Sequence, residues 1–324
     1  MLNSADTVIR NSYIAGFAYK EEETQAIGGW NGTGGYKIVN NYLEAGAENV
    51  LIGGSDPSIK NLVPTDIEIR NNLMSKPAEW RGQVTIKCAF ELKNARNVRI
   101  IGNIFENTFD DMAIRLTVRN QNGTAPWSVI EDVVFQNNIV RNSGGGINFL
   151  GRDDSYPSAM MKRVQVVNNL FENLDAQRFG SDGRFITVAG GEDITVANNT
   201  VFHDGNVITA HGEASKRFVF RNNIFSFNKY GFSGGDGETL KVFFPKYFSG
   251  GVFTDNVFVN GRNIPKSDIY TLPRNALVDN FNAVGFTDWQ AGNYRLSANS
   301  KFRDKKIGCD IDALETETKK VQKK

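Results

Sequence analysis

The segment Ile67-Glu68-Ile69-Arg70-Asn71-Asn72-Leu73 recurs along most of this 324-residue chain. Two close copies are Val133-Val134-Phe135-Gln136-Asn137-Asn138-Ile139 and Val164-Gln165-Val166-Val167-Asn168-Asn169-Leu170. Each copy has a short β-branched run, then asparagine, then an apolar pair. The asparagines of the repeat are Asn11, Asn41, Asn72, Asn103, Asn138, Asn169, Asn199, Asn223 and Asn256, with gaps of 24 to 35 residues and most near 31. A fixed period of roughly 20–50 residues predicts a stacked solenoid.

The repeat unit is composed of short strands. Apolar and polar residues alternate over four to six positions in each unit, and no unit has the sustained i, i+3, i+4 apolar spacing of a helix. A second strand follows the asparagine in most units, at Asn49–Gly53, Ala89–Lys93, Ala113–Thr117, Gly146–Leu150, Phe185–Ala189 and Val207–His211. Strands of successive units would pair in parallel about 4.8 Å apart. The pattern predicts an all-β chain folded as a single-stranded right-handed parallel β-helix solenoid of about nine coils.

One solenoid domain accounts for the whole chain, because a solenoid grows by adding coils. We predict the parallel β-helix over residues 1–260, a C-terminal closing segment of the same domain over residues 261–314, and a disordered tail over residues 315–324. The coil pattern already begins at Thr7–Asn11, whereas an open solenoid end usually needs a cover. We therefore expect further coils and a secretion signal upstream in the natural protein, and hence a secreted or cell-surface location.

The repeated asparagines and phenylalanines are predicted to be structural. Asparagine tolerates a left-handed backbone at a bend, and stacked copies can exchange amide hydrogen bonds from coil to coil. A row of asparagines that binds sugar is the alternative. Phenylalanines recur at nearly the same position of the coil, at Phe105, Phe135, Phe171, Phe202, Phe225 and Phe258. We expect these rings to stack in the core.

The composition argues against several classes of function. The chain has 37 basic and 36 acidic side chains and a net charge of +1, without a basic block, so neither nucleic acid nor a membrane is an expected partner. It has no signal peptide and no apolar run long enough for a transmembrane helix. The two cysteines, Cys88 and Cys309, indicate neither a disulfide framework nor metal-ligand spacing.

Aligning the second strands places polar side chains in two outward columns on one sheet. The first column contains Leu51, Glu91, Arg115, Asn148, Thr187 and Thr209, and the second contains Gly53, Lys93, Thr117, Leu150, Ala189 and His211. Glu91, Lys93 and Arg115 should then lie within one or two coil spacings of one another. The flanking candidates are Asn148, Arg152, Asp153, Arg184 and His211.

Two interpretations of this arrangement compete. Glu91, Lys93 and Arg115 would form a solvated ion-pair ladder that contributes little energy. Alternatively they would form an elimination site on an acidic polysaccharide. Abstraction of the C5 proton of a uronic acid needs a base, for which the amine of Lys93 is the candidate. The sugar carboxylate must be neutralised by Arg115 or by a metal, and Glu91 with a further acid would hold a calcium ion for that purpose.

The chain resembles the right-handed parallel β-helix superfamily of pectate-lyase-like proteins over nearly its full length. The residues Phe90-Glu91-Leu92-Lys93, Asn103-Ile104-Phe105 and Ile114-Arg115-Leu116 are similar to the Glu-x-Lys, Asn-x-x-Phe and Arg run of the chondroitinase B and alginate lyase family. This resemblance implies calcium binding by Glu91, a base role for Lys93 and assistance in proton delivery by Arg115. His211, on the same outward face, is a further catalytic candidate.

Other interpretations stay open at this stage. Trp127 is a candidate for stacking on a sugar ring, with Asn148, Arg152 and Arg184 as further substrate-binding candidates, although loop packing also explains a tryptophan there. A glycosidase would need two carboxylates across the scissile bond, and the pairs Asp110-Asp111 and Asp153-Asp154 have the composition of turns. A non-catalytic extracellular β-helix that binds glycan or acts as a spacer is the other class. His203 is predicted to be structural.

Overall fold

The structure is a computed structural model that describes residues 1–228, 230–235, 237–260, 264 and 272–321. Within these residues the chain forms nine coils of parallel β-helix, with three strands in most coils. The predicted all-β solenoid is therefore confirmed. Most coils contribute in turn to sheet A, sheet B and sheet C, and sheet C contains the six predicted second strands and two more. Residues 261–263 and 265–271 of the predicted closing segment lie outside the described residues.

Sheet A carries the β-branched run that precedes each asparagine. Its strands are β1 (Val8–Arg10), β4 (Lys37–Val39), β7 (Thr65–Arg70), β10 (Ala95–Ile101), β13 (Ile130–Gln136), β16 (Lys162–Val167), β19 (Glu192–Ala197), β22 (Ser215–Lys216), β23 (Val219–Arg221), β26 (Phe248–Ser249) and β27 (Val252–Thr254). Their outward charges form ion pairs from coil to coil, as where Arg163 lies 3.1 Å from Glu131 and 2.6 Å from Asp132.

Sheet B begins directly after the asparagine. Its strands are β2 (Tyr13–Phe17), β5 (Tyr42–Ala45), β8 (Leu73–Ser75), β11 (Ile104–Thr108), β14 (Ile139–Ser143), β17 (Leu170–Leu174), β20 (Thr200–His203), β24 (Ile224–Ser226), β28 (Val257–Val259) and β29 (Ala276–Val278). The first residues of these strands pair in register and form an outward column that is mostly apolar. This column needs cover from another part of the chain.

Sheet C completes each coil. Its strands are β3 (Gln25–Gly29), β6 (Glu48–Ile52), β9 (Phe90–Leu92), β12 (Ile114–Thr117), β15 (Ile147–Leu150), β18 (Ile186–Ala189), β21 (Ile208–Ala210) and β25 (Phe232–Ser233). Outside the coils lie the antiparallel pair β30 (Phe286–Asp288) and β31 (Asn293–Leu296), the helices α1 (Ala176–Phe179), α2 (Leu240–Tyr247) and α3 (Ile311–Thr318), and 3₁₀ turns at Ala78–Trp80 and Phe281–Val284. Among the described residues, no helix has the length and apolarity needed to cross a bilayer.

The paired asparagines have two separate roles, and both structural expectations are confirmed. The first member, such as Asn71, takes a left-handed backbone with φ near 56°. The second member is fully buried and continues a ladder, since Asn72 donates from both its backbone N–H and its Nδ2 to Oδ1 of Asn103, at 2.9 and 3.0 Å. Asn11 belongs to the first set, and Ser12 occupies the ladder position in its coil.

Five of the six recurring phenylalanines lie in the core, and Phe202 is the exception. Phe105 and Phe135 stack with ring centroids 5.6 Å apart, and both are fully buried. Phe202 instead points outward, because its neighbour Val201 is the residue that pairs with the buried Phe171. Its ring packs against Tyr294 of the C-terminal segment, 4.5 Å between centroids. The prediction that Phe202 stacks in the core is therefore wrong.

A buried ammonium group holds the corner between sheets B and C. Lys76 is fully buried, and its Nζ donates to the carbonyls of Ala45, Gly46 and Ala47 at 2.8 to 2.9 Å and to Oδ1 of Asn49 at 3.2 Å. Burial lowers the pKa of Lys76 to about 8, whereas the four acceptors favour the charged form that donates to them. This side chain closes a corner whose carbonyls would otherwise lack a partner.

Residues 301–321, which we call the strap, return along the side of the solenoid. Gly308 N–H donates to the carbonyl of Asn222 at 2.8 Å, and Nδ2 of Asn71 donates to the carbonyl of Glu317 at 2.6 Å. At the end of the strap, Val321 packs in a cluster with Tyr42, Leu73 and Ile104. The strap therefore covers the apolar outward column of sheet B.

The course of the strap differs from the expected closure of the C-terminal end. Helix α3 extends to Thr318, and Val321 is only 6% exposed. The predicted disordered tail is thus wrong for residues 315–321, because α3 extends into them and Val321 packs against sheet B. Residues 322–324 lie outside the described part of the chain.

Candidate functional site

The predicted columns on sheet C are present with the predicted register. Glu91 pairs with Leu51 on one side and Arg115 on the other, and the column continues through Asn148 and Thr187 to Thr209. In the second column Thr117, Leu150 and Ala189 pair in register. We call the outward side chains Glu91, Lys93, Arg115, Asn148 and Arg184 the sheet C face.

Glu91 is the most deeply buried charge of the sheet C face. It faces away from the core, because its neighbours Phe90 and Leu92 fill the core, yet it is only 2% exposed. Thr117 donates to Oε1 of Glu91 at 2.7 Å, and Nζ of Lys93 lies 3.8 Å from Oε2. Burial raises the pKa of Glu91, while the ammonium of Lys93 opposes that shift. This buried pair is not the exposed ion-pair ladder of the simplest interpretation.

Two arginines extend the face toward the next coils. Arg115 pairs with Asp111 at 2.5 Å, and its side chain keeps 29% exposure. Arg184 pairs with Asp182 and donates from NH1 to Oγ1 of Thr187 at 3.4 Å. Burial lowers the pKa of Arg184, since desolvation disfavours its charge. Both guanidinium groups are held by one carboxylate each and are only partly in contact with solvent.

Loops at both edges of sheet C connect neighbouring coils. At the edge where the strands begin, Arg81 NH1 donates to the carbonyl of Arg178 at 2.7 Å. At the edge where they end, Oδ2 of Asp56 accepts from Oγ1 of Thr124 at 2.7 Å. These contacts hold the loops beside the outward columns, consistent with the low exposure of Glu91.

Three of the predicted site residues do not join the others. His211 follows β21, four strands from Lys93, which is about 19 Å at a spacing of about 4.8 Å. Arg152 lies 3.4 Å from Glu213 and donates to the carbonyl of Ser158. Trp127 donates from Nε1 to the carbonyl of Leu62 at 3.0 Å. His211 cannot share a reacting atom with Lys93, and Trp127 has the contact expected of loop packing.

The carboxylate pairs proposed for a hydrolase have structural contacts. Asp110 pairs with Arg81 at 3.1 Å, and Asp111 pairs with Arg115. Asp153 accepts from the backbone N–H of Asn120 at 2.7 Å, and its neighbour Asp154 pairs with Arg119. Neither pair presents two carboxylates to one site, so the geometry gives no support to glycoside hydrolysis.

Three buried polar atoms of the first column lack a hydrogen-bond partner. They are Oε2 of Glu91, Nε of Arg115 and Oγ1 of Thr209. Buried polar atoms are usually satisfied by protein, water or a ligand. Cavities of about 470 and 440 Å³ are found elsewhere, one beside the strap and one on sheet B near Glu106. The sheet C face is therefore a candidate site because of its charged side chains and its buried polar atoms without hydrogen-bond partners, and not because it contains a large cavity.

Sequence reasoning missed a cluster of three possible metal ligands that includes Glu91. Glu48, Cys88 and Glu91 each offer one ligand atom, and these atoms lie within 4.8 Å of one another. The sequence spacing of Cys88 matches no metal-binding motif. The alignment of the second strands indicates this proximity. Leu51 pairs with Glu91, and Glu48 and Cys88 lie three residues before them, so Glu48 and Cys88 are also opposite each other.

This donor set does not fit the calcium ion that the resemblance implies. Calcium takes six to eight oxygen ligands, whereas two carboxylates and the Thr117 hydroxyl are the oxygens grouped here, next to a thiol. Two ammonium groups, Lys87 at 3.0 Å from Glu48 and Lys93 at 3.8 Å from Glu91, would compete with an ion that, like calcium, gains nothing from the thiol. We derive no catalytic step through calcium.

Comparison with known proteins does not assign the chain to a family. A scan of the chain against protein-family models finds no match, and a search of curated proteins finds no significant match either.

Proposed function

We propose that this chain is a carbohydrate-active β-helix protein that binds an acidic glycan on the sheet C face. One observation carries the proposal: the guanidinium of Arg115 is partly exposed and pairs with the carboxylate of Asp111 at 2.5 Å. A carboxylate of a uronic acid can accept hydrogen bonds from the exposed part of this guanidinium, in the paired geometry that guanidinium groups favour.

The surroundings of Arg115 support this ligand class. Asn148 lies beside Arg115 in the same column and offers neutral hydrogen bonds to hydroxyl groups. The lowered pKa of Arg184 reflects a desolvated charge, and an anion bound nearby would relieve that cost. We further propose that the protein acts outside the cell, where such polymers occur.

Elimination is the finer proposal for the same face. Lys93 is the candidate base, and Arg115 would neutralise the sugar carboxylate. The alternative is a non-catalytic glycan-binding module, which needs only the arginines.

Affinity electrophoresis tests binding. The full chain is run through gels that contain alginate, polygalacturonate or a neutral glucan. We expect retardation by at least one uronic-acid polymer, loss of that retardation in Arg115→Ala, and retention in Arg163→Ala, a matched arginine on sheet A that also pairs with aspartate. Equal migration in every gel, with the protein folded, would contradict the proposal.

Ultraviolet absorbance of unsaturated products tests elimination on any polymer that binds. We expect the signal to disappear in Lys93→Ala and to persist in Lys162→Ala, a partly exposed lysine of sheet A that pairs with Glu131. If the protein binds a polymer but no absorbance change follows, the protein is a non-catalytic glycan-binding module.

A further inference from the structure

We propose that Glu48, Cys88 and Glu91 form a binding site for a thiophilic divalent cation, with zinc as the physiological candidate. Zinc is bound by cysteine sulfur and carboxylate oxygen, usually with four ligands in a tetrahedron. The three donors come from neighbouring coils, so the solenoid itself brings them together.

Each of the two carboxylates offers one oxygen to the cluster. Glu48 is fully buried and Glu91 is 2% exposed. Oε2 of Glu91 has no hydrogen-bond partner, and Oε1 of Glu48 lies 3.0 Å from Nζ of Lys87. The other oxygen of Glu48 accepts from Gln25 at 2.9 Å, and that of Glu91 accepts from Thr117 at 2.7 Å. Each carboxylate is thus oriented by one hydrogen bond, as metal-binding carboxylates commonly are. Glu91 keeps one oxygen for another ligand, whereas a cation must displace Lys87 from the oxygen of Glu48.

The spacing of the donors suits a small ion. The three ligand atoms lie within 4.8 Å of one another. Donors around a tetrahedral zinc lie roughly 3.5 Å apart, given bonds of about 2.0 Å to oxygen and 2.3 Å to sulfur. Contraction by about 1 Å is within the reach of side-chain rotation. Water would complete the coordination.

The charges of the cluster permit binding. Without a metal, the carboxylates of Glu48 and Glu91 face the ammonium groups of Lys87 and Lys93. Burial raises the pKa of the Cys88 thiol well above its usual range, so the sulfur is a neutral thiol until a cation displaces its proton to solvent. Lys87 is 24% exposed and also pairs with Glu23, which lets its ammonium move toward solvent when the ion enters.

Cadmium titration of the reduced, metal-free full chain tests the site. Binding to sulfur produces a thiolate-to-metal charge-transfer absorption that carboxylates alone do not give. We expect the absorption to saturate at one equivalent, and zinc to displace cadmium from the site. Cys88→Ser should lose the absorption, and Cys309→Ser, the matched control at the other cysteine, should keep it.

Carboxylate variants keep the test decisive if Cys88→Ser does not fold. Glu48→Gln and Glu91→Gln should each weaken binding while leaving the absorption detectable at higher cadmium. Lys87→Met removes the competing ammonium and should tighten binding several-fold. Three results would overturn the proposal: no absorption in the wild-type chain, absorption that depends on Cys309, or binding that appears only in Lys87→Met.

Discussion

Asn138 donates from its backbone N–H and from Nδ2 to a single atom, Oδ1 of Asn169, at 2.9 and 3.1 Å. The same geometry repeats along the ladder, so each buried amide depends on the amide of the next coil. A ladder of this kind transmits the loss of one side chain to both neighbours.

The ladder predicts unequal effects of two adjacent substitutions. Asn138→Ala removes the acceptor of the Asn103 backbone N–H and one of the two acceptors of its Nδ2, which still donates to the carbonyl of Ile69. We expect the free energy of unfolding to fall by several kcal/mol, because each buried unpaired group costs about 1–3 kcal/mol. Asn137→Gly should cost less than about 1 kcal/mol, since glycine readily adopts the φ near 55° found there. Urea unfolding of both variants provides the comparison, and equal losses would contradict this role for the ladder.

His203 predicts a loss of stability in mild acid. It is 9% exposed, its Nε2 donates to the carbonyl of Ser226 at 3.0 Å, and burial lowers its pKa to about 4. The unfolded chain has a histidine pKa of about 6.5, so it binds a proton that the folded chain does not bind between pH 6.5 and 4. Stability is therefore complete above pH 6.5 and falls as the pH decreases toward 4, by up to about 3 kcal/mol.

The two histidines of the chain allow a matched test of this pH effect. His203→Gln should remove that part of the pH dependence in thermal unfolding between pH 7.5 and 4.5. His211→Gln should leave it unchanged, because His211 is exposed. If the His211 variant alone altered the dependence, the assignment to His203 would be wrong.

Because the strap packs on the outside of the coils, we expect a cavity under α3 to destabilise the strap alone. Leu314 of α3 is 1% exposed, and Leu314→Ala should cost about 2–4 kcal/mol of local stability. Hydrogen exchange should accelerate over residues 301–321, while the asparagine ladder stays protected. Thr316→Ala, at an exposed position of the same helix, should leave exchange unchanged. Acceleration throughout the solenoid would show instead that strap and coils unfold together.

We expect the ion pairs of sheet A to contribute little to the free energy of unfolding. Arg163 is 46% exposed in its side chain, although it pairs with Glu131 and Asp132. Arg163→Ala should change the free energy of unfolding by less than about 1 kcal/mol, and added salt should reduce the difference. Denaturant midpoints at low and high salt measure it. A loss as large as that of Asn138→Ala would mean that the pairs act as a cooperative network.

The register of the strands could be predicted from the sequence because side chains must return to the same face in every coil. Aligning Leu51, Glu91 and Arg115 by their apolar neighbours placed them as they pair in the structure. The same alignment placed Glu48 opposite Cys88, but a search for metal motifs along the sequence overlooked it.

The partners of the site residues could not be predicted in the same way. Asp111, which holds Arg115, lies at a corner outside the repeated strands, and Leu62, which accepts from Trp127, lies in a long loop. Neither position recurs from coil to coil, so periodicity carries no information about it. The strap is the extreme case, since Glu317 contacts Asn71 across 246 residues without a repeated pattern.

The strap also makes the number of coils a fixed property of this protein. Contacts in a solenoid otherwise join nearest neighbours, so coils can be added or removed without changing the rest. Here the carbonyls of Asn222 and Glu317 join the strap to coils far apart in the stack. Deleting one intervening coil would shift one attachment by about 4.8 Å relative to the other. The length of the strap is thus matched to the number of coils that it crosses. Duplication of a coil during evolution would require the strap to lengthen as well.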